Sequence, residues 1–175
     1  MKPTRYVQLV ALLALLSAVG LWGLAPPAPD WNYGTVAVLA IVALTAEVMA
    51  YLLPRGAAGS IAFIPYMATI MLVPNFAALV AIVGVRMLIE ISRKSGALKL
   101  VFNTSQQLLT HAIAIVLYRI AGGSSLLELR HLSIAEVTVA VGWPMMLSYV
   151  FSFAMNGLLV SHVIALATNG KTLQV

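Results

Sequence analysis

The sequence contains no cysteine, which excludes disulfides, thiol nucleophiles and cysteine-based metal sites together. Charge is scarce too: 9% of the 175 residues are Asp, Glu, Lys or Arg, against about 25% in soluble domains. Acid is scarcer than base, five Asp and Glu against ten Lys and Arg. General acid–base chemistry needs titratable groups positioned within reach of one another, and few are present to be positioned. The phosphate-cradling G-x-x-x-x-G-K-[ST], the nucleophile elbow G-x-S-x-G, the H-E-x-x-H zinc motif and a paired His–Asp signature are all missing. No polar stretch is long enough to fold as a separate soluble domain. On these grounds no catalytic residue, no metal site and no cofactor is assigned, and the chain is read as a non-enzyme.

What remains is apolar. Hydrophobic residues make up 62% of the chain, above the ~45–50% of soluble domains, and the natural solvent for that surface is lipid. The formal charge of +5 does not point to nucleic acid. The basic residues lie between apolar runs, where they set topology and meet anionic headgroups. A spanning helix needs roughly 20 apolar residues. The first candidate runs from Tyr6 to Leu24, preceded by Lys2 and Arg5 and followed by the Pro-rich stretch Ala25 to Asp30. A basic start before an apolar run also marks a signal peptide, but the length of the run and the proline after Ala25 favour a retained helix.

The second run, Thr35 to Leu53, is entered by the interfacial aromatics Trp31 and Tyr33 and ends at Pro54, Arg55 and Gly56. The third, Ser60 to Val73, is short and contains Pro65; Pro74-Asn75 breaks it. The fourth extends from Phe76 to Ile91 before Arg93, Lys94 and Lys99. The fifth, Leu100 to Ile120, stops at Gly122-Gly123, and a polar segment from Ser124 to Ser133 follows. The last stretch, Ile134 to Thr168, is too long for one span, and Gly142 with Pro144 is expected to divide it. The sum is an all-α polytopic bundle of about six crossings, a single integral membrane domain. Residues 1–34 form the first helix and an external loop, and residues 35–170 form the core. With the N-terminus inside, Lys2, Arg5, Arg55, Arg93, Lys94, Lys99 and Lys171 fall inside, and Arg119 and Arg130 outside. The positive-inside rule therefore gives N-in and C-in.

Ionisable and amide side chains within apolar helices each need a reason. Glu47 lies mid-helix in the second run. It is either a proton or cation site or a buried carboxylate paired with Arg86 or a backbone amide. Arg86 and Glu90 share a helix face at i, i+4, with Arg93 and Lys94 beyond them. This is an interfacial anchor or a relay to a cytoplasmic partner. On the fifth helix Asn103, Gln107, Thr110 and His111 form one stripe with Gln106 beside it, suited to helix contacts or to a polar cavity. On the last helix Ser148, Ser152, Asn156 and His162 occupy one broad arc, for which helix packing is the simpler use.

Several of these residues also carry a resemblance. Arg86 and Glu90, Arg93-Lys94, then Phe102-Asn103, Gln106-Gln107, Tyr118 and Gly122-Gly123, with Asn156 in the last helix, resemble the N-terminal membrane sensor module of bacterial signalling proteins with HD-GYP or GGDEF output domains. The similarity covers about residues 35 to 170, and its most specific elements are Phe102-Asn103 and Gly122-Gly123. It implies a non-catalytic module of the bacterial cytoplasmic (inner) membrane that senses membrane or small-molecule state and signals to a cytoplasmic domain handling cyclic di-GMP. No output domain precedes Val175, so the chain is expected to be a fragment or a stand-alone relative. Two alternatives stand beside the sensor: an accessory subunit of a larger membrane complex, and a small-molecule-binding component of an uptake transporter with Asn103, Gln107 and His111 lining its pocket. The partners implied are the bilayer and other membrane or cytoplasmic chains.

Overall fold

The computed structural model describes residues 2–27, 33–51, 61–129, 131 and 133–168, apart from the side chains of 33, 50, 51 and 168. Asp30, Trp31, the Pro54–Gly56 break, Ser60, Arg130 and Lys171 lie outside the described residues. The described residues form six α-helices in chain order: α1 Pro3–Leu24, α2 Tyr33–Tyr51, α3 Phe63–Leu72, α4 Phe76–Ser92, α5 Ala97–Ile120 and α6 Ile134–Thr168. Three of them, α1, α5 and α6, are long and apolar enough to cross a membrane. Helix α2 carries a shorter apolar stretch, and α3, with 10 residues, is only about 15 Å long.

Local signals explain the boundaries. Pro3 sits in the first turn of α1, where its missing N–H is no loss. Pro65 is likewise within the first turn of α3, so it does not break the helix. Asn75 caps α4, its Oδ1 accepting from the Ala77 amide at 2.9 Å. Ser133 and Glu136 open α6 as a reciprocal capping box: the Glu136 carboxylate accepts from the Ser133 amide at 2.9 Å, and the Ser133 hydroxyl from the Glu136 amide at 3.4 Å.

One expectation is overturned. Gly142 and Pro144 do not divide the last stretch; α6 is a single helix of 35 residues with Pro144 inside it. The missing proline amide leaves a single gap in the backbone ladder. The ring is fully buried, so packing holds the helix through the gap.

The helices alternate in direction. At one end the Phe76 amide donates to the Ala25 carbonyl, and the Leu126 amide to the Met71 carbonyl, both at 3.0 Å. At the other end Tyr6 of α1 packs on Phe102 of α5 and His162 of α6, with ring centroids 6.3 and 4.7 Å apart. Helix α5 is central and packs on α1, α4 and α6. Alanines at the contacts, such as Ala78, Ala112 and Ala114, are fully buried and permit close helix approach. Around them Leu21, Ile70, Leu79, Ile82, Ile115 and Tyr118 fill the main core.

Candidate functional site

The most polar part of the interior lies towards the end where α2 and α4 finish and α5 begins. It is built around Arg86. On α4 the i, i+4 spacing brings Arg86 Nη2 to 2.7 Å from Glu90 Oε1. Across the helix interface Arg86 Nη1 lies 3.3 Å from Glu47 Oε2 and 3.4 Å from its Oε1. The side chains of Glu47 and Glu90 are 3% and 1% exposed, that of Arg86 17%. Two buried carboxylates therefore share one guanidinium, and the trio carries a net negative charge.

The two carboxylates are held unequally. Glu90 has every oxygen engaged at short range: Asn103 Nδ2 donates to Oε1 at 2.9 Å and Ser95 Oγ to Oε2 at 2.6 Å. Glu47 receives the Tyr66 hydroxyl at 3.1 Å and otherwise the long contacts to Arg86. Charge-assisted bonds normally fall near 2.7–2.9 Å, so Arg86 is committed to Glu90 and loosely engaged with Glu47. Arg86 Nε is buried and has no hydrogen-bond partner among the described residues.

The turn after α4 is part of the same structure. The Lys94 amide donates to the Ile91 carbonyl at 3.0 Å and the Ser95 amide to the Glu90 carbonyl at 3.1 Å. This is a Schellman closure with Lys94 in the left-handed region, at φ 50°. The closure turns Ser95 back onto the Glu90 carboxylate. Arg93 Nη2 donates to the Glu47 carbonyl at 3.4 Å, so the basic turn touches both acidic residues.

Tyr66 extends the polar path inward. Its ring meets His111 edge-on, with centroids 5.4 Å apart, and His111 Nδ1 lies 2.9 Å from the Gln107 carbonyl. That carbonyl can only accept, so Nδ1 carries the proton. Glu47 and His111 are thus bridged through Tyr66 rather than in direct contact. Nearby, Gln107 Oε1, Thr104 Oγ1 and Thr110 Oγ1 are buried without a partner among the described residues.

Of the residues singled out from the sequence, Glu47, Arg86, Glu90 and Asn103 come together, and Gln107 and His111 continue the line from Tyr66. Asn156 does not join them: it is exposed on the outer face of α6. Its neighbours in the sequence arc behave differently, for Ser148 and Ser152 are buried and Ser148 Oγ donates to the Ala114 carbonyl at 3.0 Å. A cavity of about 430 Å³ lies between α3 and α6, lined by residues such as Met67, Met71, Met145 and Tyr149. It is apolar, and Asn103, Gln107 and His111 are not among its walls. Among the described residues no three His, Asp or Glu side chains come together as a metal would require.

Tyr66 and Ser95 were not foreseen from the sequence. The available signal for Tyr66 was a hydroxyl within an apolar run, which must find a partner when buried. Ser95 had none, because its role depends on the backbone reversal at Lys94. No protein-family model, no curated protein and no solved structure matches the chain.

Proposed function

We propose that this chain is a multi-pass bacterial inner-membrane protein of about six crossings, with both termini on its basic side, and that it acts as a non-catalytic sensory or regulatory module. The alternating helices support the topology, since Lys2, Arg5, Arg93, Lys94 and Lys99 fall at one end and Arg119 at the other. The observation that carries the regulatory reading is the sharing of Arg86 between Glu90 at 2.7 Å and Glu47 at 3.3 Å. An uncompensated buried charge is strongly destabilising. Any event that neutralises or displaces Glu47 therefore shifts Arg86 further towards Glu90. Through Ser95 and Arg93 that shift reaches the basic turn, where a cytoplasmic partner or domain would read it.

Glu47→Gln tests this reading. The substitution keeps the shape and removes the charge, so the fold is retained while the turn changes its protection. Trypsin cleavage after Arg93 and Lys94, measured on the intact protein in micelles, is expected to change severalfold. An unchanged rate with unchanged melting would remove the switch and leave a static anchor.

Asn156 favours a second reading, an accessory subunit of a larger complex. An amide on an outward helix face among exposed apolar residues such as Phe153 and Leu158 is poorly suited to lipid and well suited to a neighbouring helix. Asn156→Leu is then expected to weaken association with a partner chain during purification by about threefold, in line with the modest strength of such bonds, about 0.6 kcal/mol each.

A further inference from the structure

The basic end of the bundle has an unbalanced surface. Tyr6 packs against Phe102, which sets Lys2, just before α1, and Arg5 in its first turn beside the start of α5, where Lys99 stands three residues before Phe102. Lys99 is in turn close enough to act electrostatically on Glu90, at the end of α4 that leads into Lys94. Because α5 lies between α1 and α4, these cations follow one another across three adjoining helix ends, and all are exposed. The two acidic residues described at this end, Glu47 and Glu90, are buried and engaged with Arg86. The surface cations therefore have no exposed acid beside them among the described residues.

Below the cations α1 presents an apolar stripe. Arg5 heads an outward stripe on α1 that continues through the exposed Leu9, Leu12 and Leu16 at helical spacing. Leu98 and Val101 are exposed on either side of Lys99. A row of cations over an apolar wall matches an amphiphile with an anionic head, and it does not match a soluble anion, which would have no use for the wall.

We propose that Lys2, Arg5, Lys94 and Lys99 bind the headgroup of an anionic phospholipid whose acyl chains lie along the exposed apolar stripe of α1. The proposal rests on the sensory reading above and names its ligand. Lys99 acts on Glu90, so a headgroup that draws on this cation acts on the same carboxylate that holds Arg86.

The test is native mass spectrometry of the full chain in micelles, offered phosphatidylglycerol or phosphatidylcholine with identical acyl chains. Selective retention of phosphatidylglycerol is expected. A basic side chain near an anionic surface contributes roughly fivefold in affinity, so Lys2→Gln/Arg5→Gln/Lys99→Gln is expected to lose about a hundredfold with unchanged melting. Arg119→Gln, at the opposite end, is expected to lose nothing. Equal retention of the two lipids overturns the proposal, as does undiminished retention by the triple variant or equal loss in Arg119→Gln. Displacement of the lipid by millimolar inorganic phosphate would replace the headgroup with a free anion and equally overturn it. The two readings fail separately. If phosphatidylglycerol binds as described but Glu47→Gln leaves the tryptic rate of lipid-free protein unchanged, the site stands and the sensory reading falls. If the rate changes but no lipid is selected, the reverse holds.

Discussion

Where α3 meets α4 and α5 runs towards α6, the chain is tied largely by its own backbone. Ser125 Oγ donates to the Leu72 carbonyl at 2.6 Å, Arg119 Nη1 to the Pro74 carbonyl at 3.2 Å and Tyr118 Oη to the Ser124 carbonyl at 2.9 Å, beside the two amide–carbonyl bonds that join Phe76 to Ala25 and Leu126 to Met71. At the opposite end the ties run mostly between side chains, and most members are ionisable: Glu47, Arg86, Glu90 and Tyr66, with Asn103 and Ser95 completing the set. Carbonyl acceptors cannot change charge, so the first end has one arrangement. The second end depends on how one guanidinium divides itself between two carboxylates, and it can have more than one. That contrast is why the regulatory reading is attached to the second end.

The largest effect expected from any single change is at Arg86. Arg86→Leu leaves two buried carboxylates facing one another, and removing one member of a buried ionic group is typically worth about 3–5 kcal/mol. The midpoint of thermal or denaturant unfolding in micelles should fall accordingly. Adding Glu47→Gln and Glu90→Gln to the same chain should recover most of the loss, because no unpaired charge is then buried. An Arg86→Leu protein as stable as the parent would dissolve the contrast between the ends.

A smaller loss is expected at the backbone-tied end. Gly123 follows Gly122, whose φ is 87°, and a Cβ on Gly123 would come 2.5 Å from the Tyr118 ring and 2.6 Å from its carbonyl oxygen. Gly123→Ala must therefore displace Tyr118, a fully buried side chain, at a cost of about 1–3 kcal/mol. Tryptic cleavage at Arg93 and Lys94 should not change. If it did, the two ends would be mechanically coupled along α5 and the division drawn between them would be too sharp.

The sequence disclosed the two ends unequally. Gly122-Gly123 and Pro74-Asn75 announced their breaks, since left-handed backbone and helix caps have residue preferences. The Arg86–Glu90 pair followed from helical spacing, and the pairing of Glu47 with Arg86 was one of the alternatives that charge burial leaves open. Tyr66 and Ser95 were hidden, because each joins the cluster only through tertiary placement. Pro144 misled in the other direction. Its local tendency to break a helix was outweighed by packing around a buried ring, which one sequence cannot reveal. Asn156 looked like part of an inward arc, but helix α6 has a narrow buried face, centred on Ser148 and Ser152, and the residue falls outside it.

Both α4 and α5 end in a Schellman closure, which permits a finer comparison. In α5 the left-handed position is Gly122, with the Gly122 amide on the Arg119 carbonyl and the Gly123 amide on that of Tyr118. In α4 the equivalent position is Lys94, and a residue with a Cβ is disfavoured there by about 1–2 kcal/mol. Lys94→Gly removes that strain but also gives the unfolded chain more freedom, a loss of about 0.4–1 kcal/mol. The net expectation is a gain of at most about 1.6 kcal/mol, seen as a small rise in the unfolding midpoint. Lys94→Ala keeps the strain and removes the same charge, so it should give no such rise. If both variants retain less phosphatidylglycerol while only the glycine variant melts later, strain and charge at this position separate. Lys94 is then kept for its ammonium group, in a place where the backbone alone would call for glycine.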